Sequence, residues 1–107
     1  VSTQTPTMKT KTLKPGYIIT DNYDRICLVI RPVERPGQYW IEGQDDPKVR
    51  KVSRTDPWFE AFPLTGGAVN VPASLCTVLR KATDADLMAA LRGGNSFARE
   101  TICSLFL

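Results

Sequence analysis

The sequence predicts a mainly β domain, a small antiparallel barrel followed by a short C-terminal α-helical hairpin. Up to residue 82, short apolar runs alternate with clusters of Pro, Gly, Asn and Asp, which is typical of short strands joined by turns. After residue 82 the apolar residues change to helical spacing. A length of 107 residues suits one domain. We therefore assign 1–12 to a flexible N-terminal arm, 13–82 to the barrel, and 83–107 to a helical extension that packs on the barrel or lies at an oligomer interface.

Strands are predicted from the short apolar runs. The run Ile26–Ile30 is unbroken, which indicates a strand, extending over 25–31, that is buried on both faces of a sheet. After the turn residues Pro36 and Gly37, residues 38–42 resume strand character, so 25–43 is expected to form a hairpin. The polar stretch 43–57 is expected to be a long loop or a ragged edge strand. The other predicted strands are 17–20, 58–64, 68–71 and 75–79.

Two helices are predicted at the C-terminal end. Thr83 precedes two acids in the next three residues, a pattern typical of a helix N-cap, and Gly93–Gly94 ends that helix. Asn95 or Ser96 caps a second helix with a regularly spaced apolar face. The last residues are too apolar to lie in water, so we expect them to cover an open end of the barrel or to contact another chain. The candidate oligomer-interface residues are Ile102, Leu105 and Phe106.

The composition excludes several classes of chemistry. The chain has no histidine, which excludes Ser-His-Asp and Cys-His catalysis and His-containing zinc sites. Cys27, Cys76 and Cys103 are too few for a four-cysteine zinc site, and all three are expected to be buried and reduced, with a reactive thiol as the alternative for Cys103. We expect no metal and no cofactor. No apolar run approaches the roughly 18–20 residues that span a bilayer, so we expect a cytoplasmic protein without membrane contact.

The positive charge is concentrated in two places. The net charge is +3, and residues 1–16 alone hold Lys9, Lys11 and Lys14 without an acid. A second cluster lies just before Trp58, where phosphate contacts and a stacking ring would bind nucleic acid. A solvated charged loop, diluted by three flanking aspartates, is the alternative. The candidate nucleic-acid-binding residues are Lys48, Arg50, Lys51 and Arg54.

The segment 58–80 resembles the second half of an SH3 domain. An aromatic pair followed by Glu60-Ala61, a glycine turn at Gly66-Gly67, and the sequence Val71-Pro72-Ala73-Ser74 follow the order of that family. The resemblance implies a small antiparallel barrel, a 3₁₀ turn, and a groove for Pro-rich peptides that contains Trp58 and Pro72. Core packing is the alternative role of Trp58. With the aromatic pair Tyr39 and Trp40, these residues form the candidate ligand-binding or partner-binding set.

Three functions follow from these observations. The first is a non-enzymatic module for protein–protein interaction, alone or as a homo-oligomer. This function assumes an all-β cylinder that includes the 25–43 hairpin. The second is a nucleic-acid-binding accessory protein that uses the basic loop 48–54. The third is a small histidine-free enzyme, because Val69-Asn70-Val71-Pro72 resembles the pore strand of type II dihydrofolate reductase.

Overall fold

The computed structural model describes residues 13–64 and 67–107, and within them five strands form one antiparallel sheet. The strands are β1 (Tyr17–Thr20), β2 (Ile26–Pro32), β3 (Trp58–Pro63), β4 (Val69–Pro72) and β5 (Thr77–Lys81), in the order β4-β3-β2-β1-β5. The sheet is open, with β4 and β5 at its edges, and helices accompany it. The prediction of a mainly β domain with a small antiparallel barrel is therefore confirmed in part: the antiparallel sheet forms, but it is open and belongs to a mixed α/β domain. The predicted arm at 1–12 and Gly66 of the predicted glycine turn lie outside the described residues.

The central strands are buried on both faces, as the unbroken apolar run of β2 predicted. Side chains alternate between the two faces of a strand, and successive β2 residues enter two separate cores. Cys27 and Val29 pack on one face, while Leu28 and Ile30 pack on the other. Burial raises the pKa of the Cys27 thiol to about 12, consistent with an inert core cysteine. Cys103 is exposed, so its predicted burial is wrong.

The predicted hairpin over residues 25–43 is wrong, because its second half is a helix. Helix α1 spans Pro36–Glu42 and begins with a proline in its first turn, where a proline costs no hydrogen bond. The Gln38 side-chain amide donates to the Glu42 carboxylate at 3.0 Å, one helical turn away. The Trp40 indole N–H donates to the Val52 carbonyl at 2.9 Å. These contacts outweigh the strand character of the segment 38–42.

The polar stretch after α1 contains a second, very short helix. Helix α2 spans Pro47–Arg50, and the Asp46 carboxylate caps it by accepting from the Lys48 backbone N–H at 2.9 Å. Within this helix, the Val49 side chain is buried. The stretch predicted as a loop or ragged edge strand therefore contains one helical turn, and its Val49 and Val52 side chains are buried.

The C-terminal helices form as the sequence predicted. Helix α3 spans Asp84–Gly93 and is capped by Thr83, and helix α4 spans Ser96–Phe106 and is capped by Asn95. Between β4 and β5 a 3₁₀ turn spans Ala73–Leu75. Both helices contribute buried residues to the core on one face of the sheet. That core consists of Ile18, Leu28, Ile30, Phe62, Leu87, Ala90, Ala98 and Ile102.

Candidate functional site

An open groove of about 450 Å³ lies where strands β3 and β4 meet helices α1 and α2 and the turn between β1 and β2. Three aromatic side chains line it: Tyr23 from the turn, Tyr39 from α1 and Trp58 from the start of β3. The remaining lining residues combine apolar and polar groups. They are Asn22, Arg25, Glu42, Gly43, Asp46, Val49, Val69, Asn70, Val71 and Pro72.

Trp58 joins the core to this groove. Trp58 is 5% exposed, and its ring stacks on the ring of Tyr39 with the centroids 5.8 Å apart and an interplanar angle of 26°. The indole N–H is buried and has no acceptor among the described residues. A buried donor without a partner costs free energy. Trp58 is therefore mainly a buried residue whose edge contributes to the groove, with a hydrogen-bonding group left unused.

The turn that carries Tyr23 is held by a buried carboxylate. Asp21 is 3% exposed and accepts from the backbone N–H groups of Tyr23 and Arg25, both at 2.9 Å. The Arg25 guanidinium lies 2.7 Å from the same carboxylate. Burial alone would raise the pKa of Asp21, but the hydrogen bonds from Arg25 and Tyr23 outweigh it and lower the pKa. Asp24 adopts the left-handed conformation, with φ of 62°, which an Asp tolerates in a tight turn.

Tyr23 connects this turn to helix α2. Its hydroxyl donates to Asp46 at 2.5 Å, and the ammonium of Lys48 and the guanidinium of Arg25 lie 5.3 and 5.4 Å from its ring centroid. The hydrogen bond with Asp46 raises the pKa of Tyr23, and that bond and the Lys48 backbone N–H lower the pKa of Asp46. The tyrosine therefore stays protonated, and the carboxylate stays charged.

A second groove of about 440 Å³ continues the first, because both are lined by Tyr39 and Asn70. Its charged residues include Arg31 and Glu60, which form an ion pair at 3.4 Å. Together the two grooves form a continuous surface along helix α1 and the β4 side of the sheet.

The structure brings together three of the four predicted ligand-binding residues. Trp58, Pro72 and Tyr39 line the same groove although they come from separate elements. Trp40 does not line it. Its indole is bound to the Val52 carbonyl, and the Arg54 guanidinium lies 5.9 Å from its ring centroid, so this tryptophan anchors α1 to the following segment.

The predicted basic cluster is divided by local contacts. The Lys48 ammonium donates to the Asn22 carbonyl at 2.6 Å, and Arg54 lies over Trp40. Arg50 and Lys51 are exposed, and neither forms an ion pair within the described part of the chain. Two of the four cations are therefore directed to solvent without a local partner.

The predicted oligomer-interface residues lie in different environments. Ile102 is fully buried within the chain, and Phe106 packs at the margin of the same core. Leu105 is 49% exposed and Leu107 is 70% exposed. The apolar end of the chain is thus partly covered by the sheet, and its uncovered part is Leu105 and Leu107.

Tyr23 and Asn70 are among the groove residues that were not predicted as binding residues. Tyr23 belongs to a segment whose Asp and Asn residues indicated a turn but no binding site. Asn70 was considered only in the reductase comparison, where its strand would line a pore. A lone polar residue between two valines, in a short strand that ends at a proline, is a usable signal of a strand edge.

Comparison with known proteins found no matching family model, no matching curated protein and no matching solved structure. The similarity to SH3 domains stays a prediction. Across 13–64 and 67–107, no helix is long and apolar enough to cross a bilayer. Within the same residues, no group of three or more His, Cys, Asp or Glu side chains is placed to bind a metal ion.

Proposed function

We propose that this protein is a non-enzymatic interaction module, and that the aromatic groove binds an extended segment of a partner protein. One observation carries the proposal: Tyr39, Trp58 and Pro72, from three separate elements, line the same open groove. Aromatic rings supply large contact areas at low conformational cost, and they are enriched where proteins bind one another.

The proposal does not depend on the hairpin that the sequence predicted. That hairpin was a premise of the all-β interaction module, and residues 38–42 are helical instead. Helix α1 gives a different basis, because it places Tyr39 against Trp58 and forms one wall of the groove. The strand order and the 3₁₀ turn at Ala73–Leu75 support the further proposal that the sheet is a variant of the SH3-like barrel.

The groove suits a peptide better than a small molecule. It is open, and it joins a second groove of similar volume, so a bound chain could extend beyond Tyr39 in either direction. Small-molecule sites, by contrast, enclose most of their ligand. Apolar surface in the groove and polar groups at its margin, such as Asn22 and Asn70, match the mixed character of a peptide.

Selection from a displayed library of random ten-residue peptides tests the proposal. The purified protein should enrich peptides, and Tyr39→Ala should weaken their binding about tenfold or more, because truncated aromatic anchors typically cost that much. Phe97→Ala is the matched control: Phe97 is 53% exposed, lies on α4 and lines neither groove. Enrichment of no peptide, or equal losses in the two variants, would contradict the proposal.

A second candidate function is nucleic-acid binding. Arg50 and Lys51 favour it, since both are exposed and unpaired within the described residues. Phosphate contacts would make such binding fall steeply with added salt. Binding to arbitrary single strands or duplexes that disappears by moderate salt, and that is lost when Lys48, Arg50, Lys51 and Arg54 become glutamine, would favour this function. Salt-insensitive peptide binding that survives the same substitutions would exclude it for the groove.

A further inference from the structure

Among residues 13–64 and 67–107, the outer edge of strand β4 is unpaired, and the hydrogen bonds of its neighbour reveal which backbone groups face outward. The Trp58 carbonyl accepts from Val33 on the β2 side at 2.9 Å, whereas the Pro57 carbonyl accepts from Ala73 on the β4 side at 2.8 Å. Backbone groups alternate in direction along a strand, so Glu60, like Trp58, bonds away from β4.

Asn70 is the residue of β4 whose N–H and C=O both face outward. It lies opposite Glu60 in a register that runs without a bulge from Trp58↔Pro72 to Ala61↔Val69. Because Glu60 bonds away from β4, the Glu60↔Asn70 pair is a non-hydrogen-bonded pair. The N–H and C=O of Asn70 therefore point to the outer edge. In the described part of the chain β4 pairs with β3 alone.

The groove follows this edge. All four consecutive residues of β4, Val69 to Pro72, line it. A cavity confined to one face of a strand would be lined mainly by alternate residues, since side chains alternate between faces. A chain lying in the groove would thus run beside the outward N–H and C=O of Asn70, with Tyr39 and Trp58 as neighbours for its side chains.

The charge of the groove indicates the chemistry of that chain. Strand β4 carries no charge, so it lacks the charged side chains that commonly block an edge. The Arg25 charge is matched by buried Asp21, and both Asp46 oxygens accept hydrogen bonds within the fold. Within the described residues the Glu42 carboxylate accepts a hydrogen bond from the Gln38 amide alone, so it can still bind a cation.

From these observations we infer that the groove binds its partner by strand addition: an extended segment of another protein, rich in strand-forming residues and carrying a Lys or Arg, pairs with β4 at Asn70. Strand addition is a general mode of peptide recognition in which main-chain hydrogen bonds give affinity and side-chain pockets give specificity. The inference rests on the proposed function, because it specifies how the same groove is occupied.

An N-methyl scan of a selected ten-residue peptide tests strand addition directly. In a paired strand every second N–H bonds to its neighbour. In β4 the carbonyl of Asn70 is the outward acceptor, so methylation should weaken binding about tenfold or more at the one peptide position whose N–H donates to it and little at the adjacent positions, since the blocked donor leaves that carbonyl unsatisfied. Uniform tolerance, or equal sensitivity at adjacent positions, would overturn the inference. If binding still required Tyr39, the interaction-module proposal would stand without it.

A proline variant tests the same contact from the protein side. Asn70→Pro removes an outward N–H without removing a bond to β3, and proline is accepted in edge strands where the N–H faces solvent. We expect this variant to fold and to lose about tenfold or more in peptide affinity. Asn70→Ala is the comparison variant: it removes the groove-lining side chain but keeps the outward N–H, and should therefore lose less affinity than Asn70→Pro. Unchanged binding by folded Asn70→Pro would contradict strand addition, and the N-methyl scan decides if the variant does not fold.

Two further measurements test the chosen occupant. Replacing the Lys or Arg of the selected peptide with Glu should weaken binding, and Glu42→Gln should reduce the difference between the two peptides. Equal affinities in the wild type would contradict the charge assignment.

Sedimentation of the wild type and of Asn70→Pro tests whether the occupant is a second copy of this chain. If the wild type is a dimer and Asn70→Pro is a monomer, β4 of another copy is the occupant, and the inference is overturned.

Discussion

The rings of Tyr39 and Trp58 stack at a centroid distance of 5.8 Å, although one lies on a helix and the other on a strand. The contact fixes α1 against the sheet. It also covers much of the indole, leaving Trp58 5% exposed with its N–H unbonded. One pair of rings thus serves both the packing of the domain and the surface of the groove.

Loss of the Tyr39 ring should destabilise the fold modestly. An aromatic pair contributes about 0.5–1.5 kcal/mol beyond its buried area, so Tyr39→Ala should lower the free energy of unfolding by at least that amount. Tyr39→Phe keeps the stacked ring and should remain within about 0.5 kcal/mol of the wild type, because it changes no packed atom besides the hydroxyl. Chemical denaturation followed by tryptophan fluorescence measures both. Equal stability of Tyr39→Ala and the wild type would mean that the stack does not form in solution.

Asp86 should make the fold sensitive to acid. Its carboxylate accepts from the Arg80 guanidinium at 2.6 and 3.0 Å and from the Thr83 backbone N–H at 2.9 Å, and these bonds hold its pKa well below the ordinary value of 3.8. A lowered native pKa stabilises the fold above the unfolded-state pKa, and the contribution is lost as pH falls through the native pKa. Stability should therefore decline below about pH 4.

Substitution isolates this contribution. Asp86→Asn should lower stability at neutral pH and flatten the decline on acidification. The exposed Asp84, two positions earlier on the same helix, has no ion pair in the described residues, and Asp84→Asn should retain the decline. Thermal unfolding measured from pH 7 to pH 2 compares the three proteins. A wild-type curve parallel to that of Asp86→Asn would refute the assignment.

Ile102 and Leu105 should differ sharply in their effect on folding. Both residues lie on α4, but Ile102 is fully buried in the core, whereas Leu105 is half exposed. Ile102→Ala should cost about 2–5 kcal/mol, the usual range for a large buried aliphatic side chain. Leu105→Ala should cost about 0.5 kcal/mol or less. Urea denaturation measures both, and similar losses would show that α4 does not pack as described.

Self-association of the apolar C-terminal end stays a prediction, and the structure narrows the residues that could mediate it. Leu105 and Leu107 are exposed, while Ile102 is committed to the intrachain core. Sedimentation at micromolar concentration should show an oligomer that dissociates when Leu105 and Leu107 are both replaced with aspartate. A wild-type protein that sediments as a monomer throughout would rule this prediction out.

Local sequence chemistry predicted the parts of the fold that local interactions control. The Thr83 cap, the Asn95 cap and the end of α3 at Gly93–Gly94 follow from side-chain and backbone hydrogen bonds within a few residues. The double burial of β2 follows from its unbroken apolar run. Such signals need no knowledge of distant residues.

The residues that build the groove depend on contacts between distant parts of the chain. Residues 38–42 read as a strand, but Trp40 bonds to Val52 and Tyr39 stacks on Trp58, and both contacts suit a helix. The role of Tyr23 depends on Asp46, twenty-three positions away. The Pro36 start of α1 and the Gln38–Glu42 spacing were the available helical signals.

The most direct test of groove binding is a ¹⁵N–¹H correlation spectrum of the labelled protein, recorded during titration with a peptide selected from the library. The chain has two tryptophans, which give separate indole N–H signals. Binding in the groove should shift the Trp58 indole signal and the backbone amides of Tyr39 and Asn70, while the Trp40 indole, bonded to Val52, stays in place. Shifts confined to Arg50, Lys51 and their neighbours, with the Trp58 indole unchanged, would contradict the proposed groove.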